Sequence, residues 1–468
     1  MDSRYLQVGL LSGAAVLASA ALTWVGAVLL PGFRSREAKQ GVYRPAGETG
    51  ASSRLPLVGG PALMLAILPA GSAAGAVFGW RPTAGVFLAG LVFLGVGLAD
   101  DLLKSTRGKG FDDRASFALA VLGALACATI AVWLAPAKGW DSTISLGHWV
   151  SGPFGAAAIF SWAFLLFLGT TVGAGVSDGI DGLTAGLTAL AAAGIAAAGA
   201  FTRVAAAAPA ALVCGATVGF LLLNLPSGWT PLSRDRKRLA RAYLGDSGAL
   251  ASGALLVAAG FAAGFDLLLP VFVGAMLLEG ASSFIQAKVI VPLCRRFERF
   301  GGPDRRSVHH SEFPLPFVAA PLHHHLELVG MSRPRIVALF WTASVVTAGL
   351  GAWAAVMREA VPIAAAYVAA GAVLGTFWVV SSSFRPAFIK LEASGGVEEL
   401  LFCHGRPRRI WGIRLFSVAE RRAVRPGSVR AGSALVRTPM NPHRARLEFE
   451  RLLSGAEPSP PNPDQAEG

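Results

Sequence analysis

The chain has 468 residues, 53% hydrophobic and 15% charged, against about 25% charged in an ordinary soluble domain, so a solvated globule is excluded and a membrane protein expected. A formal net charge of +13 would suit a polyanion, but the basic residues fall between apolar runs and beyond the last of them, and no nucleic-acid partner is expected. Cys127, Cys214, Cys294 and Cys403 stand alone without a CxxC pair, which excludes a disulfide framework and a cysteine zinc site.

Apolar runs of about 20 residues predict transmembrane helices. Eleven are found, near 6–32, 56–80, 83–103, 115–137, 153–174, 180–202, 207–225, 247–264, 267–291, 335–356 and 362–383. The first is too long for a signal-peptide core and is read as a retained helix. Abundant Gly and Ala suit helices that must approach closely in lipid. Threading these runs alternately puts 36 of the 41 Lys and Arg on one side. Leaving out the 14 basic residues of the long tail still leaves 22 against five. By the positive-inside rule the richer side is cytoplasmic, with the N-terminus outside and the C-terminus inside.

Polar residues at span ends are costly and mark candidate sites. In chain order they are Gly59 and Gly60 in RLPLVGG, Asp100, Asp101 and Lys104 in GLADDLLK, and Asp178 and Asp181 in SDGIDGLTAG. Asn224 and Asp246 follow in NLPSG…YLGDSGAL, then His323, His324 and His325 in PLHHHLELVG. Each has a plainer reading: solvated interfacial charge for the DD pair, a capped Gly-rich turn for DGIDG, an N-cap for GDSG, a metal-binding tract for the histidines. All fall on the same predicted face, which favours a shared site. Aspartates meeting basic residues suit phosphate chemistry with a divalent cation, because Mg²⁺ binds through one or two carboxylates plus substrate phosphates. No Walker A, GxGxxG or GxSxG context occurs, so P-loop hydrolysis, dinucleotide redox and esterase chemistry lack support.

The order and spacing of GG, DDxxK, DGxDGLxxG, N…GDxGxL and HHHxE resemble the polyprenyl-phosphate N-acetylhexosamine-1-phosphate transferases, glycosyltransferase family 4, over roughly residues 10–356. HHHLE is similar to the branch whose donor is UDP-N-acetylmuramoyl-pentapeptide, and Glu279, Ser282 and Gln286 also fall where that branch has similar residues. The resemblance implies an all-α polytopic transmembrane bundle of ten core spans, here with an eleventh and a basic cytoplasmic C-terminal tail, in the bacterial inner membrane with its site on the cytoplasmic face. It implies Mg²⁺ held by Asp246, and Asp100, Asp101 and Lys104 acting on the polyprenyl phosphate, one aspartate as a base. Asp178 would act at the pyrophosphate, and Asp181, Asn224 and an aromatic at Tyr243 would hold the uridine. His323, His324 and His325 would receive the muramoyl-peptide end. The partners implied are the bilayer, a UDP-sugar and undecaprenyl phosphate, for a chain acting alone or as a homodimer. The products would be lipid I, a peptidoglycan precursor, and UMP. Transfer of N-acetylglucosamine-1-phosphate or another sugar-1-phosphate is the alternative, and a catalytically silent membrane scaffold the second.

The sequence departs from the family pattern at Val172 and Gly175, where two asparagines are usual, and upstream of GG, where a lysine is usual and Arg54 is the cation nearby. Basic insertions fall within 226–246 and at 292–320, the latter with His309 and His310. The expected organisation is a transferase domain over 1–356, an additional span over 357–383, a basic appendage over 384–450 with some strand, and a disordered tail over 451–468.

Overall fold

The computed structural model describes residues 3–29, 58–134, 145–226, 240–293, 317–384, 387–424 and 442–454, apart from a few isolated positions within them. Arg54, most of the 292–320 insertion including His309 and His310, Cys294, the basic residues at 234–238 and most of the 451–468 tail therefore lie outside the described residues.

The helices are α1 (Ser3–Leu29), α2 (Gly59–Phe78), α3 (Trp80–Arg107), α4 (Asp113–Leu134), the short α5 (Leu146–Trp149), α6 (Gly152–Ser177), α7 (Leu183–Thr202), α8 (Val204–Asn224) and α9 (Gly245–Ala263). After them come α10 (Leu269–Phe272), α11 (Gly274–Phe284), α12 (Leu322–Leu328), α13 (Arg333–Met357) and α14 (Ala360–Ser383), with α15 (Pro442–Leu453) near the end. Among the described residues, ten are long and apolar enough to cross a membrane. The predicted ninth span is instead two helical pieces, Asp266–Phe272 and Gly274–Ile290, bent by 72°; counted as one crossing, they bring the total to eleven, as expected. Helices are the spanning form that satisfies every backbone N–H and C=O within one segment in hydrocarbon, and in that setting Pro69 inside α2 and Pro209 inside α8 are tolerated. The protein is a multi-pass all-helical membrane bundle.

Two compact units are distinguished. The first comprises residues 1–39, 49–280 and 337–375, and α9 is its centre: 89% of that span is buried, against 17% for α1. Exposed large side chains such as Leu17, Phe154 and Phe201 mark faces suited to lipid. Asp266, where the ninth span begins, accepts a hydrogen bond from the Leu146 N–H at 2.8 Å, while Trp162 Nε1 donates to its carbonyl at 3.0 Å.

The second unit comprises residues 40–48, 281–336 and 376–468. Its C-terminal part is an antiparallel sheet, β1 (Ala387–Ser394), β2 (Val397–Ile410) and β3 (Ile413–Val424), in that order. The sheet falls where apolar and polar residues alternate in the sequence. Ala387, Ile389, Leu400 and Phe402 form one apolar cluster with Ala445, Phe449 and Leu452 of α15, so the amphipathic helix covers one sheet face. Phe388, Leu401 and Cys403 form a separate buried cluster.

Candidate active site

The first unit brings together eight of the eleven catalytic, binding and metal candidates, Asp100, Asp101, Lys104, Asp178, Asp181, Asn224, Tyr243 and Asp246. At its centre is the start of α9, where Asp246 lies in the first turn. Small residues let three helices meet there. A Cβ on Gly60 of α2 would come within 2.6 Å of Ser247 Oγ, and one on Gly97 of α3 would overlap the Asp246 carbonyl. The GG pair thus packs α2 against Leu244–Gly248, and Gly97 is a site residue that the sequence reading passed over.

With the backbones that close, α3 delivers its polar end to α9. Lys104 Nζ lies 2.6 Å from Asp100 Oδ2 and 2.5 Å from Asp246 Oδ2. Asp100 and Lys104 are four residues apart on one helix face, while Asp246 is 142 positions away in sequence. The other oxygen of Asp100 accepts the Phe111 N–H at 2.6 Å. Asp101 does something different. Its two oxygens accept the backbone N–H groups of Asp246 and Ser247 at 3.1 and 3.0 Å, satisfying donors that the first turn of a helix leaves without an intrahelical partner. It is 1% exposed and holds α9 in register with α3.

The DGIDG turn forms the second wall. Gly182 has φ +80°, a conformation glycine adopts without a Cβ clash, and it links α6 to α7. Its N–H donates to Asn224 Oδ1 at 2.7 Å, and Asn224 Nδ2 donates to the Ala242 carbonyl at 3.1 Å. Trp341 Nε1 donates to the Gly182 carbonyl at 3.2 Å; Trp341 sits in an unbroken apolar run, and nothing in the sequence marks it. Tyr243 donates from its hydroxyl to the Asp178 carbonyl at 2.8 Å. Burial pushes the Tyr243 phenol well above its ordinary range, with Asp178 and Asp246 adding to the effect, so it remains a neutral donor.

Asp178 Oδ2 is shut off from solvent without a hydrogen-bond partner. Burial raises its carboxyl well above the usual range against the opposing hydrogen bond from Tyr243, and the charges of Asp246, Asp181 and Asp101 push it up further. A buried acceptor lacking a donor, among other carboxylates, is a place for a cation. Among the described residues no three His, Cys, Asp or Glu side chains are spaced to cage a metal ion. The unpartnered carboxylate oxygen of Asp178 is the kind of donor that an oxygen-seeking cation such as Mg²⁺ takes.

His323, His324 and His325 belong to the second unit. His323 and His325 are fully buried. His325 Nε2 lies 2.9 Å from the Ser381 carbonyl of α14, and Phe317 packs against both His325 and Trp378. His324 Nδ1 is 3.2 Å from Glu327 Oε2, and Arg333 Nε is 2.7 Å from Glu327 Oε1. Ser282 Oγ accepts the Leu322 N–H at 3.0 Å and Gln286 Oε1 the Phe317 N–H at 3.1 Å, so these two polar residues hold the histidine segment.

The glycosyl transferase family 4 model matches residues 83–263, which contain all eight residues of the first-unit site. The phospho-N-acetylmuramoyl-pentapeptide-transferase of Heliobacterium modesticaldum is 31% identical over 348 residues, 72% of this chain and 95% of that protein. Proteins of the same name from a Synechococcus and from Desulforudis audaxviator are 32% and 33% identical, over 74% and 62% of this chain and 92% and 78% of their own lengths.

Proposed function

The chain belongs to glycosyl transferase family 4, with phospho-N-acetylmuramoyl-pentapeptide-transferases among its relatives, and we propose that it is a phosphotransferase moving phospho-N-acetylmuramoyl-pentapeptide from its UDP-linked donor to undecaprenyl phosphate. The reading is carried by Lys104, which joins Asp100 and Asp246 at the polar end of two membrane-crossing helices. A phosphate-bearing lipid and a nucleotide-linked donor meet at such a boundary.

In the proposed reaction an oxygen of the lipid phosphate forms a bond to the sugar-bearing phosphorus. The bond from that phosphorus to the bridging oxygen breaks, and the electron pair leaves with UMP. Lys104 draws anionic phosphate toward Asp100, which accepts a proton from the lipid phosphate where one is present. Asp101 positions the start of α9 through its two backbone bonds. Asn224 and Tyr243 fix the turn bearing Asp178 and Asp181, where the uridine and pyrophosphate would lie. Asp246, with Asp178, would hold Mg²⁺, which when bound offsets negative charge on the pyrophosphate. The histidines would receive the muramoyl-peptide end. The charge asymmetry of the loops supports a cytoplasmic site in the bacterial inner membrane, and the proposal needs no second copy of the chain. For organisation, it takes residues 1–356 as the transferase domain, 357–383 as an added span, 384–450 as a basic appendage and 451–468 as a disordered tail.

The test is incubation of purified chain with undecaprenyl phosphate and radiolabelled donors. Product from UDP-N-acetylmuramoyl-pentapeptide alone is expected. Product from UDP-N-acetylglucosamine would shift the donor, and product from neither would leave a membrane scaffold.

A further inference from the structure

The histidine segment is held by a helix that the transferase reading does not use. The resemblance to the family ends near residue 356, and α14 follows it over Ala360–Ser383. The last carbonyl groups of an α-helix lack an intrahelical partner, and a histidine N–H is one of the groups that satisfy them. Ser381, in the last turn of α14, offers such a carbonyl. It accepts the Phe384 N–H at 3.2 Å and faces His325 Nε2 at 2.9 Å, and its lone pairs can serve both. A carbonyl oxygen only accepts, so His325 Nε2 carries a proton and donates it. In the neutral imidazole Nδ1 is then the acceptor.

Aromatic contacts keep this geometry. Trp378 and Ser381 are three residues apart on one face of α14. The Trp378 ring meets Phe317 edge-on with centroids 4.7 Å apart, and the Phe317 and His325 rings are 5.3 Å apart. Phe317 and His325 are fully buried and Ser381 nearly so, which closes the imidazole off from water. Turning the ring over would set Cε1 against the carbonyl and take the Nε2–H away from it, a costly change in a buried place. The main chain beneath is pinned as well, since Gln286 and Ser282 accept the Phe317 and Leu322 N–H groups.

We propose that Trp378 and Ser381 are positioning residues for the donor: they hold His325, with its proton on Nε2, in the orientation in which the histidine segment receives the peptide-bearing end. The donor rests on the transferase reading, whereas the hold on His325 does not. Because the acceptor at position 381 is main chain, Trp378 is the residue to change.

The full-length chain, carrying isotope-labelled histidine, is placed in lipid nanodiscs and its ring nitrogens are observed by NMR, with His325 identified by the signal lost in His325→Gln. The parent should show the proton on Nε2. Trp378→Ala should give a mixture of the two ring tautomers, and should raise the KM for UDP-N-acetylmuramoyl-pentapeptide roughly tenfold at nearly unchanged kcat, the mark of lost uniform binding. Trp378→Phe, which keeps a ring against Phe317, should restore both, and Val379→Ala, at an exposed position of the same helix, should move neither. A parent with its proton on Nδ1 overturns the proposal without any variant. So does Trp378→Ala with a parent-like His325 signal, or with kcat falling and KM unmoved, which is what general damage to the bundle gives. If the parent releases no UMP from any donor, the transferase reading fails, and the nitrogen signals alone decide whether α14 fixes His325.

Discussion

Lys104 sits between Asp100 and Asp246, 2.6 and 2.5 Å from their oxygens, and so ties the polar end of α3 to the first turn of α9. Breaking one side of a buried ion pair costs about 3–5 kcal/mol. Lys104 is about a third exposed, so solvent screening reduces that figure. Losing the cation proposed to draw phosphate into the site should also lower UMP release in Lys104→Gln, by roughly tenfold to a hundredfold, and Lys104→Arg should restore little, since a planar fork does not replace a compact ammonium. Full activity in Lys104→Gln would remove the bridge from the mechanism.

The neighbouring aspartates should separate by phenotype. Asp101 accepts two backbone N–H groups at the start of α9, and an amide nitrogen there would face a donor with a donor. Asp101→Asn should cost about 1–3 kcal/mol of stability, seen as a lower melting temperature in detergent, with activity falling alongside it. Asp100→Asn still offers an oxygen to the Phe111 N–H and leaves Lys104 paired with Asp246, so it should melt above Asp101→Asn while losing turnover. Equal melting of the two variants would contradict this division of roles.

The bundle was legible in the sequence because a run of about 20 apolar residues has one stable form in hydrocarbon. The bend in the ninth span was not, since Pro270 and Gly274 lie inside a run whose hydropathy is continuous. In the site, charge made Asp100, Lys104 and Asp246 visible. Gly97 and Trp341 were hidden because their contributions, close approach to Asp246 and a bond to the Gly182 carbonyl, depend on partners distant in sequence. The histidine motif hid a packing role: His325 bonds to Ser381 in the span beyond the resemblance, and local sequence does not record that contact.

Glu327 gives the second unit a signed pH dependence. Burial alone would raise its carboxyl, but the hydrogen bond with His324 and the charge and hydrogen bond of Arg333 outweigh burial and hold it below its ordinary value of 4.5. A folded value below the unfolded one contributes stability that is present above the unfolded value and lost as pH falls through the folded one. The melting temperature of the parent should exceed that of Glu327→Gln at pH 6, and the gap should close as the pH drops below 4.5. A gap that widens toward acid would reverse the sign.

The departures at Val172 and Gly175 can be tested separately, because the structure makes them unequal. Both lie near the end of α6, one helical turn apart and just before Asp178. A Cβ on Gly175 would come 3.2 Å from Leu250 Cδ2, so an asparagine there must first push that leucine aside. Position 172 is half-buried and holds a side chain already. A restored hydrogen bond to a charged group is worth about 1.5–3 kcal/mol, of which part is spent on ordering the new amide. Val172→Asn should therefore lower the Mg²⁺ concentration for half-maximal activity by roughly threefold to tenfold. Gly175→Asn should do so only together with Leu250→Ala, which opens the space. If Val172→Asn instead raises the Mg²⁺ requirement, other groups have taken over the pocket, and the roles proposed for Asp178 and Asp181 are the first to be withdrawn.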